Sequence, residues 1–173
     1  LSGVFDYDHR HGYRGPEAFV SLPEQQDARD TELERTFADY PDEDELLAAV
    51  VTDVSKSGIK ATLASGQDIE ISGDGLKFAA RALSEKASAT QRIRTGAVIR
   101  VILDDKGRYA VSQLPQAESA FVALRPSDGA VLALVGGFDF YHNKFNHATQ
   151  ALRQPGSSFK PFIYSAALEK GFT

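Results

Sequence analysis

Five short apolar segments, separated by turns that contain glycine or lysine, occupy residues 46–114 and set the architecture of the middle of the chain. The first three predict a three-stranded meander, because each is rich in β-formers or alternates apolar with polar residues: "LLAAVVTDVS" (46–55), "GIKATLAS" (58–65) and "GQDIEIS" (66–72). "AVIRVILD" (97–104) and "GRYAVSQL" (107–114) predict two further strands around the turn "DKG".

Between the third and fourth strands, "DGLKFAARALS" (74–84) predicts a helix with Asp74 as its N-cap. Its apolar residues repeat at helical spacing: Leu76, Ala79, Ala80 and Leu83. The order strand, strand, strand, helix, strand, strand suits a small five-stranded barrel of the oligonucleotide/oligosaccharide-binding (OB) type. An SH3-like barrel is the alternative.

The flanking segments have different patterns. Residues 1–17 show no clear period and are expected to be extended or looped. "TELERTFADYP" (31–41) predicts a helix, with Thr31 and Glu34 at capping-box spacing. "AFVALRP" (120–126) and "AVLALVGG" (130–137) predict a hairpin, whose second strand is apolar enough to be central in a sheet.

The charges divide the chain. Residues 1–45 hold 13 acidic and 4 basic side chains, a balance of −9, whereas the rest of the chain carries +4. We therefore predict a linker with one helix over 1–45, the barrel over 46–115, and the incomplete start of another domain over 116–173. The overall charge of −5 gives no general attraction to nucleic acid or to an anionic membrane.

Other absences restrict the chemistry. The chain has no cysteine, which excludes disulfides and thiolate chemistry. It shows no signal peptide and no apolar run long enough to span a bilayer. Because it starts at Leu1 and stops just past a predicted helix, we expect a fragment of a longer protein.

The pair Ser157 and Lys160 points to acyl transfer. A serine nucleophile needs an activated hydroxyl, and a lysine three residues later on the same helix face can reach it. The predicted helix that they open carries a wide apolar stripe: Phe159, Phe162, Ile163, Ala166 and Ala167. Spacing alone also fits a serine that merely caps a helix, and Pro161 leaves open whether Ser157 or Ser158 is the N-cap.

The wider string "GAVLALVGGFDFYHNKFNHATQALRQPGSSFKPFIYSAALEKGFT" (129–173) is more specific. It resembles the start of the transpeptidase domain of class A, bifunctional penicillin-binding proteins, a family with a Ser-x-x-Lys motif. The opening "YDHRHGYRGPE" (7–17) resembles the linker of the 1A type, in which an OB-like insert is also expected. The implied fold class is mixed α+β: a five-stranded OB-like barrel, then the N-terminal hairpin and active-site helix of a transpeptidase-like α/β domain.

The resemblance implies that Ser157 is the acylated nucleophile and Lys160 the proton acceptor. It implies a penicillin-sensitive peptidoglycan D,D-transpeptidase acting on D-Ala-D-Ala stem peptides, with β-lactams as covalent inhibitors and no cofactor or metal. The implied location is the periplasmic side of the inner membrane, in a parent protein with a membrane anchor and a glycosyltransferase domain. The family's Ser-x-Asn and Lys-Thr-Gly motifs do not occur in this chain, so we expect the fragment to be inactive alone.

Two alternatives remain. The chain can be a non-catalytic OB-type interaction module that docks cell-wall proteins or glycan, or part of a serine β-lactamase or D,D-carboxypeptidase. Nucleic acid is disfavoured, since residues 46–114 carry only +3 and two aromatic residues, Phe78 and Tyr109.

Some polar residues have no assigned role. The histidines are expected to be solvated or hydrogen-bonded rather than metal ligands: His9, His11, His142 and His147. Four residues before the nucleophile either line the substrate cleft or fix the loop: Asn146, Thr149, Arg153 and Gln154.

Overall fold

The structure, a computed structural model, describes residues 2–55, 57–104, 106–138 and 144–172. The chain forms two compact units, residues 1–118 and residues 119–173. Among the described residues, no helix is both long and apolar enough to cross a membrane.

The helices and strands follow one another in the order α1 (Ser2–His11), β1 (Ala18–Phe19), α2 (Gln26–Asp39), β2 (Leu47–Val54), β3 (Gly58–Leu63), β4 (Asp68–Ser72), β5 (Ala97–Leu103), β6 (Tyr109–Ser112), β7 (Phe121–Leu124), β8 (Val131–Val135) and α3 (Lys160–Glu169). Three 3₁₀ turns complete the set: Gly73–Leu76, Ala80–Leu83 and Gly156–Phe159.

The first unit is built on an antiparallel sheet in the order β1-β5-β2-β3-β4, with β6 also paired to β5. Strand β5 is central: Val98 has Val50 on one side and Ala18 on the other. The side chains of the sheet that face inward form an apolar core with Ala79, Ala82 and Ile93. The five predicted strands are confirmed, each slightly shorter than its apolar segment.

A closed barrel is not confirmed. In the part of the chain that the structure describes, no hydrogen-bonded ladder joins β4 to β6. The turn Gly73–Leu76 packs against both strands, and a Cβ added at Gly75 would lie 2.4 Å from the carbonyl oxygen of Tyr109. The sheet therefore stays open where the chain crosses from β4 towards β5.

The predicted helix over residues 74–84 is wrong. The structure has two 3₁₀ turns there, and the Asp74 side chain does not cap but pairs with Lys77 at 2.7 Å. That ammonium, as hydrogen-bond donor and as charge, holds the pKa of the Asp74 carboxyl below its usual value. A regular helix would need one apolar stripe, but here the chain must also pack closely over the gap between β4 and β6.

The prediction of a looped N-terminus is also wrong, because residues 2–11 form α1. Tertiary contacts hold this helix: the buried Asp8 carboxylate accepts hydrogen bonds from Arg14 Nη1 at 2.7 Å and from Gln113 Nε2 at 2.6 Å. A second Arg14 nitrogen donates to the carbonyl oxygen of Leu114. Gln113 and Leu114 lie about a hundred residues away in sequence, so these contacts produce no periodic pattern in residues 1–17 from which the helix could be predicted.

Helix α2 begins at Gln26 rather than Thr31. The Thr31 hydroxyl donates to the Asp27 carbonyl oxygen at 2.9 Å, a bond within the helix, so the expected capping box does not form. The helix ends at Asp39, before Pro41 as predicted.

A buried ion pair ties the segment before β2 to the sheet. The Arg100 side chain, 2% exposed, donates to both carboxylate oxygens of Glu17 at 2.8 and 3.0 Å and to the Pro41 carbonyl oxygen at 2.6 Å. A planar guanidinium with two parallel bonds to one carboxylate fixes orientation as well as distance.

The second unit contains the hairpin of β7 and β8, with Phe121 opposite Val135 and a register shift after Ala123. At the turn, Arg125 pairs with Asp128 at 2.7 Å. The hairpin and α3 both carry exposed apolar side chains, among them Leu132 at 58% and Phe162 at 68%.

Candidate active site

Ser157 lies in a 3₁₀ turn that runs directly into α3. The turn covers Gly156–Phe159 and starts at Gly156, whose positive φ of 52° suits glycine. The amide of Ser158 donates to the Pro155 carbonyl oxygen at 3.0 Å. The prediction that Ser157 lies at the mouth of the last helix is confirmed.

Ser157 and Lys160 are linked by the backbone. The Lys160 amide donates to the Ser157 carbonyl oxygen, the i to i+3 bond of a 3₁₀ turn. In such a turn the side chains at i and i+3 nearly eclipse one another. The two residues therefore project from the same edge of the helix start.

Neither side chain is committed to a structural role. Both residues are exposed, and within the described ranges the Ser157 hydroxyl and the Lys160 ammonium have no hydrogen-bond or ion-pair partner. The N-cap of α3 is Phe159, without a side-chain cap bond, so neither Ser157 nor Ser158 caps it. Pro161 lies in the first helical turn, where its missing N–H costs nothing. An uncommitted serine hydroxyl and an uncommitted lysine on the same edge of a helix start are what a serine nucleophile with a lysine base requires.

The loop before Ser157 is fixed by Asn146. Its Oδ1 accepts the amides of Ala148 at 3.0 Å and Thr149 at 3.2 Å, and its own amide donates to Gln150 Oε1 at 2.6 Å. The amide of His147 donates to the Gly136 carbonyl oxygen at 2.7 Å, which joins the loop to the end of β8. Asn146 thus acts on the backbone, one of the two roles considered for it.

Arg153 and Gln154, the other two polar residues considered there, are exposed. The sequence analysis did not predict that Gly136 would hold the loop through its carbonyl oxygen, because a glycine after an apolar strand gives no signal of such a contact.

The histidines make ordinary contacts. His9 stacks on Phe78 with ring centroids 3.9 Å apart, and His11 Nδ1 lies 2.8 Å from the Tyr7 carbonyl oxygen. His147 Nδ1 lies 3.1 Å from the Gly136 carbonyl oxygen, and His142 falls outside the described residues. Among the residues described, no group of three or more His, Cys, Asp or Glu side chains could hold a metal ion.

Comparison with known proteins gives the family. The family model of the penicillin-binding protein OB-like domain matches residues 13–117, more than half of the chain, and that of the penicillin binding protein transpeptidase domain matches residues 119–173. The chain belongs to the penicillin-binding proteins. The predicted resemblance to the 1A type is confirmed, with an OB-like domain and a transpeptidase-domain segment both matched.

Similar proteins include penicillin-binding protein 1A of Neisseria lactamica, 44% identical over 97% of this chain, and that of Pseudomonas aeruginosa, 44% identical over 99%. The crystal structure of penicillin-binding protein 1A from Haemophilus influenzae is also similar, with a TM-score of 0.78 and 36% identity over 99% of this chain. This penicillin-binding protein chain spans 21% of the two curated relatives and 24% of the crystallised one.

Proposed function

We propose that this chain supplies the serine nucleophile of a penicillin-sensitive peptidoglycan D,D-transpeptidase. The observation that carries the proposal is the placement of Ser157 and Lys160, both uncommitted, on one edge of the turn that opens α3. The match of residues 119–173 to the family model of a transpeptidase domain supports it.

In this reaction Ser157 Oγ attacks the carbonyl carbon of the penultimate D-alanine of a stem peptide while Lys160 Nζ accepts the hydroxyl proton. The terminal D-alanine leaves with a proton, and the amine of a neighbouring stem displaces Ser157 from the acyl group to form the crosslink. Lysine can act as a base only when neutral, and the partial positive charge at a helix start disfavours its ammonium form. A β-lactam acylates the same oxygen by opening its ring.

The remainder of the catalytic site would come from chain outside these 173 residues. No Ser-x-Asn or Lys-Thr-Gly is present, and the hairpin and α3 expose large apolar side chains such as Leu132 and Phe162. Exposed apolar surface of this extent marks a face that another segment covers. We infer that the longer parent completes the domain, and that it works on the periplasmic side of the inner membrane, where peptidoglycan is crosslinked.

An interaction module remains the second candidate, because residues 13–117 match an OB-like domain that contains neither Ser157 nor Lys160. In that case the OB-like domain docks cell-wall proteins or glycan, and this docking does not depend on any reaction at Ser157.

Labelling with a fluorescent penicillin tests the catalytic proposal. The longer parent protein should form an adduct that peptide mass spectrometry locates on Ser157, and Ser157→Ala should abolish it. Ser158→Ala is the matched control and should still be labelled. Lys160→Ala should slow acylation by about 10²-fold or more, the usual range for loss of a general base. Labelling that survives Ser157→Ala would contradict the assignment.

A further inference from the structure

A groove in the first unit is lined by several cationic side chains together with other hydrogen-bond donors and a few apolar residues. It has a volume of about 720 Å³ and lies between the end of α1 and the segment that follows β4. We call it the basic groove. Its lining residues include Arg10, Lys77, Phe78, Arg81, Lys86 and Gln91.

The charge in the basic groove is uncompensated. Lys77 is paired with Asp74, but Arg10, Arg81 and Lys86 form no ion pair with any residue that the structure describes. Within the described part of the chain, no acidic side chain lines the groove. Three free cations around one concavity attract a ligand with several anionic groups, and a cleft of one sign of charge focuses that attraction.

The uncharged part of the lining adds shape and further donors. Phe78 is half-buried, stacked on His9, with Tyr13 edge-on at 5.6 Å between ring centroids. The Ser88 hydroxyl donates to Gln91 Oε1 at 3.2 Å. The side-chain NH₂ group of Gln91 has no partner among the described residues and can donate to a ligand. The basic groove therefore offers cations, a free amide donor and an aromatic wall, a combination that suits a carboxylate-bearing chain.

We propose that the basic groove binds the carboxylates of peptidoglycan stem peptides, as a site separate from the catalytic serine. This inference rests on the proposed function, which makes peptidoglycan the polymer on which the protein acts. A membrane surface fits less well, because the cations line a concavity without the exposed apolar anchors of interfacial binding. A second contact with the same polymer raises the effective concentration of stems at the protein without any change at the catalytic serine.

The test is cosedimentation of the longer parent protein with purified sacculi, after the transpeptidase site has been blocked with penicillin. The triple variant Arg10→Gln, Arg81→Gln, Lys86→Gln should bind about tenfold more weakly, as expected for three exposed charge contacts. The matched control Lys60→Gln, Lys106→Gln, Lys170→Gln removes the same charge from exposed positions outside the groove and should bind as the unaltered protein does.

The ligand chemistry is tested with sacculi whose carboxylates have been converted to amides. The unaltered protein should lose affinity for them, whereas the groove variant should bind both preparations equally. Equal loss of binding to sacculi in the two triple variants would overturn the proposal, and so would unchanged binding of the unaltered protein to amidated sacculi. The proposal would also be overturned if the groove variant lost its binding to anionic vesicles but kept its binding to sacculi. The single change Lys86→Glu, on an exposed turn, repeats the test with little risk to folding, and it must weaken binding to sacculi.

The readouts separate this inference from the proposed function. The groove variant should be acylated by penicillin at the unaltered rate, because no lining residue of the groove belongs to the Ser-x-x-Lys motif. Ser157→Ala should bind sacculi through the basic groove as before. Penicillin labelling that survives in Ser157→Ala, together with retained groove-dependent binding, would refute the catalytic role alone.

Discussion

Asn146 lies so close to Gly136 that a side chain at position 136 would have to displace it. A Cβ added at Gly136 would lie 2.4 Å from Asn146 Oδ1, the atom that accepts the amides of Ala148 and Thr149. The close approach fixes the loop that leads towards Ser157 to the end of β8.

Gly136→Ala should therefore displace the Asn146 side chain. We expect a loss of about 1–3 kcal/mol in the free energy of unfolding of the transpeptidase domain, as for other overpacked sites. Acylation of Ser157 by penicillin should also slow. Thermal unfolding and the acylation rate of the longer protein measure the two effects.

A double-mutant cycle checks the cause. Asn146→Ala removes the clashing atoms, so the double variant Gly136→Ala, Asn146→Ala should lose less stability than the sum of the single variants. Additive losses would show that the two residues act separately. Asn146→Asp keeps the acceptor oxygen and should retain most of the acylation rate.

Gly96→Ala should destabilise the OB-like unit strongly. Gly96 has φ +83°, and its added Cβ would lie 2.0 Å from the Val20 carbonyl oxygen. Left-handed backbone costs an alanine about 1–2 kcal/mol, and the contact with rigid backbone adds to that. Gly66→Ala is the matched control, with φ +80° and no atom within 4 Å of its added Cβ. Urea unfolding should show a larger loss for Gly96→Ala, and equal losses would refute the steric argument.

Arg100→Met should cost about 3 kcal/mol, the lower end for breaking a buried pair, because the Glu17 side chain is 24% exposed and can be hydrated. Urea unfolding of the OB-like unit measures the loss. Arg108→Met breaks an exposed pair with Asp104 in the same unit and should change stability little. A similar loss in both variants would mean that the buried pair contributes no more to the free energy of unfolding than the exposed pair does.

Tyr13 predicts an alkaline limit to stability. Burial, and secondarily the negative charge of Glu17, raise the pKa of the Tyr13 phenol well above its usual value of 10.0. The neutral form is thus favoured in the folded state, and the stability linked to it is fully present below pH 10 and is lost as the pH rises towards the folded pKa. Its Oη is buried and has no hydrogen-bond partner among the described residues.

Tyr13→Phe should therefore be neutral or stabilising at pH 7, since an unpaired buried hydroxyl contributes nothing favourable. Above pH 10 the variant should lose less stability than the unaltered protein. Melting temperatures of both proteins from pH 7 to pH 11 test this, and parallel curves would contradict it.

Local pattern was sufficient for the strands and for α3. An alternating run places its apolar side chains on one face of a strand, and short apolar runs rich in β-branched residues favour buried strands; β2–β6 formed where such runs occur. The helix predicted from Leu76 and Leu83 failed, because close packing at Gly75 and the gap between β4 and β6 favour two 3₁₀ turns. The residue pattern did not predict helix α1, because the helix is held by contacts of Asp8 with Arg14 and with the distant Gln113.

The sequence by itself determined the family and the pair Ser157 and Lys160, because a motif in its setting is a local property of the chain. The tertiary structure decided how the sheet stays open, where Asn146 is held, and which cations share the basic groove. Those features depend on which residues the fold brings together, such as Arg10 and Arg81 around one groove or Asn146 against Gly136. Side-chain volume and charge in three dimensions fix such contacts, and no spacing in one dimension encodes them.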